Sequence, residues 1–214
     1  MTRKKRAAVP TIETDLSRIQ QLSREREDEN WEFRSWLKEH APDDIDGVVK
    51  ALSQKYFALI DCTQCANCCR SLHLELKKSE LYTIASTLGQ SMETFQKQPM
   101  SEGSVNPPCP MLNGNLCSIY PNRPDTCRSY PHLEQPQFTS RLIGVIGNIA
   151  ICPIAFNAFE ELKGTLGWLP PLGRKSPTGG NIPLAIPKMR PHRRRGLEPP
   201  WAEDAAANRM RRRA

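Results

Sequence analysis

The sequence lacks any apolar run long enough to cross a membrane, which takes roughly 18 to 20 residues. Its basic start, Met1–Arg6, is not followed by the apolar segment of a signal peptide, because residues 11–40 are polar and charged. We therefore expect a cytoplasmic protein without a membrane partner. A glycine-rich phosphate loop is also missing, since Gly164 and Gly167 do not have its spacing.

Excess positive charge is scarce outside the C-terminal segment. The formal net charge is +7, but residues 171–214 alone hold eleven Lys or Arg and three Asp or Glu. The rest is close to neutral, unlike a nucleic-acid-binding domain, whose positive charge lies on its folded surface. We predict a disordered Pro/Arg-rich tail over 167–214, with basic runs at Arg193–Arg195 and Arg211–Arg213. Contact with nucleic acid is expected only through this tail.

Hydrophobic periodicity predicts a helical N-terminal region over residues 1–61. Phe33, Trp36 and Leu37 mark one amphipathic stretch that ends near Ala41. The charged segment Arg24–Glu32 is interpreted as a solvated helix face. A further helix is predicted to end at about Ile60, from apolar residues at steps of three and four: Ile45, Val48, Val49, Leu52, Tyr56, Leu59 and Ile60.

A cysteine-cluster metal-binding domain is predicted over residues 62–166. Alternating leucines predict a short strand from Leu72 to Leu76, and Ser79 is the expected N-cap of the next helix. The segment Val105–Pro136 is predicted to be loop and turn. Gly89 is the expected C-terminal end of that helix. Two more helices are predicted, a short one over Ser91–Gln98 and a last one through Ile154, Phe159, Leu162 and Leu166. The predicted fold is mainly α, a small irregular metal-stabilised domain with long loops and a disordered C-terminal tail.

All eight cysteines lie between Cys62 and Cys152. In a reducing compartment a dense cysteine pattern indicates metal binding rather than disulfides. The first group consists of Cys62, Cys65, Cys68 and Cys69 and contains two overlapping C-x2-C steps. Each step folds into a turn that points two thiolates at one ion. Adjacent residues of an extended chain point to opposite sides. On that basis Cys68 and Cys69 would serve different metals or bridge two.

The second group is more widely spaced along the chain and consists of Cys109, Cys117, Cys127 and Cys152. Asn113 and Gly114 are a turn signal that would bring Cys109 and Cys117 together as in a hairpin. Eight thiolates suit two four-thiolate sites, one polynuclear site, or one cluster with spare cysteines.

The spacing leaves the metal open between zinc and an iron–sulfur cluster. Zinc accepts four thiolates in a closed tetrahedral site. The ferredoxin run C-x2-C-x2-C-x3-C-P shares its first three positions with Cys62, Cys65 and Cys68. Its fourth position differs, because Cys69 follows at once and the Cys-Pro pairs lie at Cys109 and Cys152.

Two segments carry a family resemblance, the run Asp61–Arg70 with its CxxCxxCC pattern and the run Cys109–Pro131. Together they resemble the CxxCxxCC cysteine-cluster family, the YkgJ-like proteins, described as a proposed zinc- or iron-chelating domain. The resemblance spans about Asp61 to Pro153, under half of the chain. It implies metal ligands at Cys62, Cys65, Cys68, Cys69, Cys109, Cys117, Cys127 and Cys152. Flagellin lysine N-methylases contain a similar cluster, which leaves open whether the protein is an enzyme.

Other side chains near the cysteines are given ordinary structural roles. His73 and His132 lack the spacing of zinc ligands. Four residues around Cys127 are interpreted as packing and turn-forming residues: Tyr120, Arg123, Arg128 and Tyr130. No catalytic residue is assigned.

We predict a metal-binding protein that chelates an iron–sulfur cluster or zinc through its eight cysteine thiolates. Two alternatives belong to other functional classes. One is an iron–sulfur-dependent oxidoreductase or a protein lysine methylase-like enzyme. The other is a zinc-stabilised interaction module with a protein partner.

Overall fold

Helices joined by turns make up most of the residues that the computed structural model describes, 12–96 and 103–170. The helices are α1 (Leu16–Glu25), α2 (Glu27–His40), α3 (Ile45–Leu59), α4 (Cys62–Cys65), α5 (Asn67–Ser71), α6 (Lys78–Thr87), α7 (Met92–Gln96), α8 (Asp125–Ser129), α9 (Leu142–Ile149) and α10 (Pro153–Thr165). The strands are β1 (Leu74–Glu75), β2 (Ser104–Val105), β3 (Leu112–Asn113) and β4 (Leu116–Cys117). The prediction of a mainly helical fold is confirmed.

The larger hydrophobic cluster lies among α2, α3, α9 and α10, and α3 packs directly on α10. Phe33 of α2 is fully buried and meets Phe159 of α10 edge to face, with ring centroids 5.4 Å apart. Helix α2 ends at His40, just before Pro42, and α3 ends at Leu59, as the periodicity predicts. The cluster therefore positions the chain at Cys62, which follows α3, and at Cys152, which precedes α10.

Buried charges join α1 and α2 to α10. Arg26, between α1 and α2, is 8% exposed and pairs with Glu160, while Lys163 reaches Glu29 at 2.8 Å and Asn30 at 2.7 Å. The interpretation of Arg24–Glu32 as a solvated face is therefore wrong for Arg26 and Asn30. Their partners lie more than 130 residues along the chain, so local composition could not reveal the burial.

A smaller hydrophobic cluster lies under the cysteine-rich half and includes the fully buried Ile84 of α6 and Phe95 of α7. The predicted strand from Leu72 to Leu76 is shorter than expected, since only β1 pairs, antiparallel with β2. Ser79 is not an N-cap. The N-cap of α6 is Lys77, two residues earlier, and the Glu80 carboxylate accepts the Lys77 N–H at 2.9 Å.

The segment Val105–Pro136, predicted to be loop and turn, contains regular structure. Strands β3 and β4 form a hairpin with Leu112 opposite Cys117, a 3₁₀ turn follows at Tyr120–Asn122, and α8 carries Cys127. Helix α9, which is rich in buried apolar residues, was not predicted from the sequence. The predicted helix over Ser91–Gln98 is present as α7, and residues 97–102 lie outside the described part.

The described residues belong to one compact unit. The three-part division of the chain stays a prediction, and most of the predicted tail, residues 171–214, lies outside the described residues. Within the described ranges, no helix is long and apolar enough to span a membrane.

Candidate metal centre

The first four cysteines lie on two short helices that meet at Ala66. Asp61 caps α4 by accepting the Thr63 N–H at 2.9 Å, and Ala66 has a left-handed backbone with φ of 49°. Cys68 and Cys69 are therefore helical, which corrects the expectation of extended chain. Successive residues of a helix still diverge by about 100° around the axis. Their sulfurs lie 3.9 Å apart.

Cys152 reaches this region from the N-terminus of α10. Pro153 occupies the first helical position, and Cys152 is 8% exposed. Burial raises the pKa of its thiol to about 12, although N–H groups of Ala155 and Ile154 that donate to the sulfur oppose the shift. One hydrogen bond links the preceding backbone to the first cysteine run, from Asn67 Nδ2 to the Ile151 carbonyl at 2.8 Å.

Cys109 precedes the β3–β4 hairpin and Cys117 is its last residue, as the Asn113–Gly114 signal predicts. Gly114 has φ of 60°, which suits the first central position of a type II′ turn. The Cys109 N–H donates to the Cys69 carbonyl at 2.8 Å, so the hairpin begins directly beside α5. Burial raises the pKa of both the Cys109 and the Cys117 thiol. Backbone N–H groups of Met111 and Ile119 donate to the sulfurs of Cys109 and Cys117 respectively and oppose this shift.

Arg70 and Asn115 fasten the hairpin to the first cysteine run. Arg70 donates to the Cys65 carbonyl at 2.9 Å and to the Gly114 carbonyl at 3.0 Å. Asn115 Nδ2 donates to the Gln64 carbonyl at 2.9 Å. Neither residue was predicted from the sequence, in which the position of Arg70 directly after Cys69 is the one signal.

Cys127 lies on α8, and burial raises the pKa of its thiol to about 12. The negative charges that Cys109 and Cys69 would carry act in the same direction. Arg123 opposes the shift. Its guanidinium lies 3.7 Å from the centre of the Tyr120 ring, and its Nε is buried without a hydrogen-bond partner.

Two tyrosine hydroxyls face the cysteines. Tyr120 Oη lies 4.0 Å from Cys62 Sγ. Tyr130 Oη is buried without a hydrogen-bond partner, and burial raises the pKa of this phenol, with Cys152 and Cys68 adding to the shift. Both rings were interpreted from the sequence as packing residues, and nothing in the local pattern indicated where their hydroxyls would point.

The histidines near the cysteines have other partners. His73 is exposed, and its Nδ1 lies 2.8 Å from Asn106 Oδ1. His132 Nδ1 lies 3.0 Å from Ser129 Oγ, and burial lowers the pKa of this imidazole. Arg128 forms an ion pair with Asp125 at 3.6 Å.

The chemistry of the donor set fits a thiophilic metal. All eight cysteines are free thiols, and thiolates suit zinc and iron–sulfur clusters. As the side chains stand, no three Cys, His, Asp or Glu residues of the described ranges converge closely enough to hold an ion. A cysteine has three staggered χ1 positions, so rotation moves its sulfur without moving the backbone. Loading a metal would therefore require such rotations.

Residues 61–142 match the family model CxxCxxCC, whose description is "Putative zinc- or iron-chelating domain". The match confirms the CxxCxxCC resemblance read from the cysteine motif, and it covers under half of the chain. It includes seven of the cysteines and ends before Cys152. No curated protein and no solved structure matches the chain.

Proposed function

We propose that the protein is a metal-binding protein that chelates zinc or an iron–sulfur cluster through its eight cysteine thiolates. The observation that carries the proposal is the arrangement of free cysteines around α5. Three segments far apart in the sequence, α4–α5, residues 109–127 and the start of α10, are held there by side-chain and backbone hydrogen bonds. The zinc- or iron-chelating description of the matching family model supports the same function.

The surroundings of the sulfurs also suit metal-bound thiolates. Backbone N–H groups donate to the sulfurs of Cys109, Cys117 and Cys152, and such outer contacts fix ligand orientation in metal sites. The thiol of Cys68 donates toward Cys69, and this contact, with help from Arg70, lowers the pKa of Cys69. A bound zinc ion would supply cross-links between segments, and a bound iron–sulfur cluster would add one-electron transfer.

Metal and sulfide analysis tests the proposal and identifies the metal. The full-length protein is purified without oxygen, and iron, zinc and acid-labile sulfide are measured together with the visible absorption spectrum. Brown protein with matching iron and sulfide identifies a cluster, and colourless protein with bound zinc identifies the zinc form. Protein that holds neither metal, takes up neither on reconstitution, and stays folded under reducing conditions contradicts the proposal.

A further inference from the structure

A cavity of about 600 Å³ lies between the segment 131–136 and α9, and none of the described residues that line it is a cysteine. Pro131, Pro136 and Val145 give it apolar walls, and Gly144 lies among them without a side chain. A β-carbon added at Gly144 would meet no atom of another segment within 4 Å, so there is room above this residue. Binding sites for small organic molecules have this size and mostly apolar walls, with a few polar groups that orient the ligand.

Hydrogen bonds hold the two sides of the cavity together. Arg141, directly before α9, donates to the carbonyls of His132 at 2.7 Å and Pro136 at 2.9 Å. Near the end of α9, Asn148 Nδ2 donates to the Pro131 carbonyl at 3.3 Å. Because the segment is fastened to α9 at both of its ends, the protein forms this cavity without help from a ligand.

Among the described lining residues, Arg141 is the one with a permanent charge. Its guanidinium has five N–H groups, and three of them donate to backbone carbonyls, which leaves two for a ligand. The Asp46 carboxylate, which acts on this charge, already accepts two backbone N–H groups. Burial lowers the pKa of Arg141, because partial desolvation disfavours the charged guanidinium, and an anion beside it would offset that cost.

His132 supplies a second polar group to the cavity. Its backbone is left-handed, with φ of 63°, and its N–H donates to the Ser129 carbonyl at 2.6 Å. The ring Nδ1 lies 3.0 Å from Ser129 Oγ, so Nε2 is the nitrogen that stays available to a ligand. Burial lowers the pKa of this imidazole, and the ring is therefore a neutral hydrogen-bonding group at pH 7.

We propose that this cavity binds a small organic monocarboxylate with an apolar body. The carboxylate would accept the remaining N–H groups of Arg141, and the body would lie against Pro131, Pro136 and Val145. One permanent charge among apolar walls suits a monoanion better than inorganic phosphate, which needs more donors. The proposal does not depend on metal binding, because the cavity and the cysteines share no lining residue among those described.

Titration of the full-length, ¹⁵N-labelled protein with sodium octanoate, followed by NMR, tests the proposal. We expect saturable shifts of the amides in 131–148, with a Kd of about 1 mM or tighter for a ligand of this size. Octanamide has nearly the same shape without the charge, and it should bind about tenfold more weakly. Inorganic phosphate should not displace octanoate.

Two matched glycine variants in α9 separate the cavity from the neighbouring surface. Gly144→Leu places a side chain in the cavity and should weaken octanoate binding by about tenfold or more. Gly147→Leu lies on the same helix with the same open space but outside the cavity lining, so it should bind octanoate as the wild type does. Leucine favours a helix more than glycine does, so both variants should fold.

Octanoate that does not saturate the protein up to about 10 mM would overturn the proposal. Octanamide that binds as tightly as octanoate would overturn the role of Arg141, and equal loss of binding in the two glycine variants would place the ligand elsewhere. Displacement of octanoate by phosphate would identify an inorganic-anion site instead. Dimerisation of the wild type that Gly144→Leu abolishes, measured by analytical ultracentrifugation, would show that a second copy covers the cavity and would equally overturn the proposal.

Discussion

Tyr130 presents a buried hydroxyl to the sulfurs of Cys152, Cys68 and Cys65 and has no hydrogen-bond partner for it. A buried polar group left unpaired costs roughly 1 to 3 kcal/mol. A metal-bound thiolate is a strong acceptor, so metal bound by these cysteines would give this hydroxyl a partner. The same single atom then opposes folding of the metal-free protein and favours the loaded protein.

Replacing this hydroxyl should therefore affect the two forms in opposite directions. We expect Tyr130→Phe to raise the free energy of unfolding of the metal-free protein by about 1 kcal/mol. In the loaded protein it should speed metal loss to a chelator by about tenfold, as for other outer-contact substitutions. Tyr82→Phe is the control, since Tyr82 is 61% exposed. Equal rates of metal loss in the two variants would show that the Tyr130 hydroxyl does not donate to a metal-bound thiolate.

At the scale of elements, Asp46 in the first turn of α3 holds the segment before α9. Its two carboxylate oxygens accept the N–H groups of Gln137 and Phe138, both at 2.8 Å. Phe138 is buried in the larger cluster, so this pair of hydrogen bonds fixes how the segment enters the core. The same two bonds, helped by Arg141, lower the pKa of Asp46 below its ordinary value of 3.8.

The lowered pKa predicts a pH dependence of stability. Because the folded protein binds this proton less readily than the unfolded chain, the contribution of Asp46 is complete above about pH 4 and is lost as the pH falls through the folded pKa. Asp46→Asn should lower the free energy of unfolding at pH 7 by about 1 kcal/mol, with solvent screening limiting the effect. The gap in the free energy of unfolding between Asp46→Asn and the wild type should narrow below pH 4.

Urea unfolding at several pH values, with chelator present throughout, measures that gap. Asp43→Asn is the matched control, because Asp43 is an exposed carboxylate three residues earlier. A gap that stays constant from pH 7 to pH 3 would show that the charge of Asp46 contributes nothing.

The elements that could be predicted from the sequence are those that bury one face on the core. Helices α2, α3 and α10 repeat apolar residues at helical spacing, and Asn113–Gly114 marks its hairpin locally. Helix α5 could not be predicted, because five residues are too few for periodicity and the turn before it is formed by a non-glycine residue, Ala66. The partners of Arg26 and Tyr130 come from distant segments, so their roles depended on the tertiary structure.

At the scale of the whole molecule, the two hydrophobic clusters differ in size. The larger one contains nineteen buried residues from the helical framework, whereas the smaller one contains eight. Cys109 and Cys117 pack against the smaller cluster, and Cys152 belongs to the larger one. A core of only a few residues contributes too little burial to stabilise its segment alone. Metal binding, at roughly 10 kcal/mol or more for structural zinc, would supply the difference.

Metal removal should consequently loosen one half of the described structure and spare the other. We expect chelator and reductant to abolish amide protection in residues 62–96 and 103–130, while α3 and α10 keep most of theirs, because these two helices pack on each other in the larger cluster. Hydrogen exchange followed by mass spectrometry on loaded and stripped full-length protein measures this, with zinc re-addition as the control for reversibility. Uniform loss across both halves would show that the two clusters fold as one unit, and unchanged protection in residues 103–130 would show that the hairpin needs no metal.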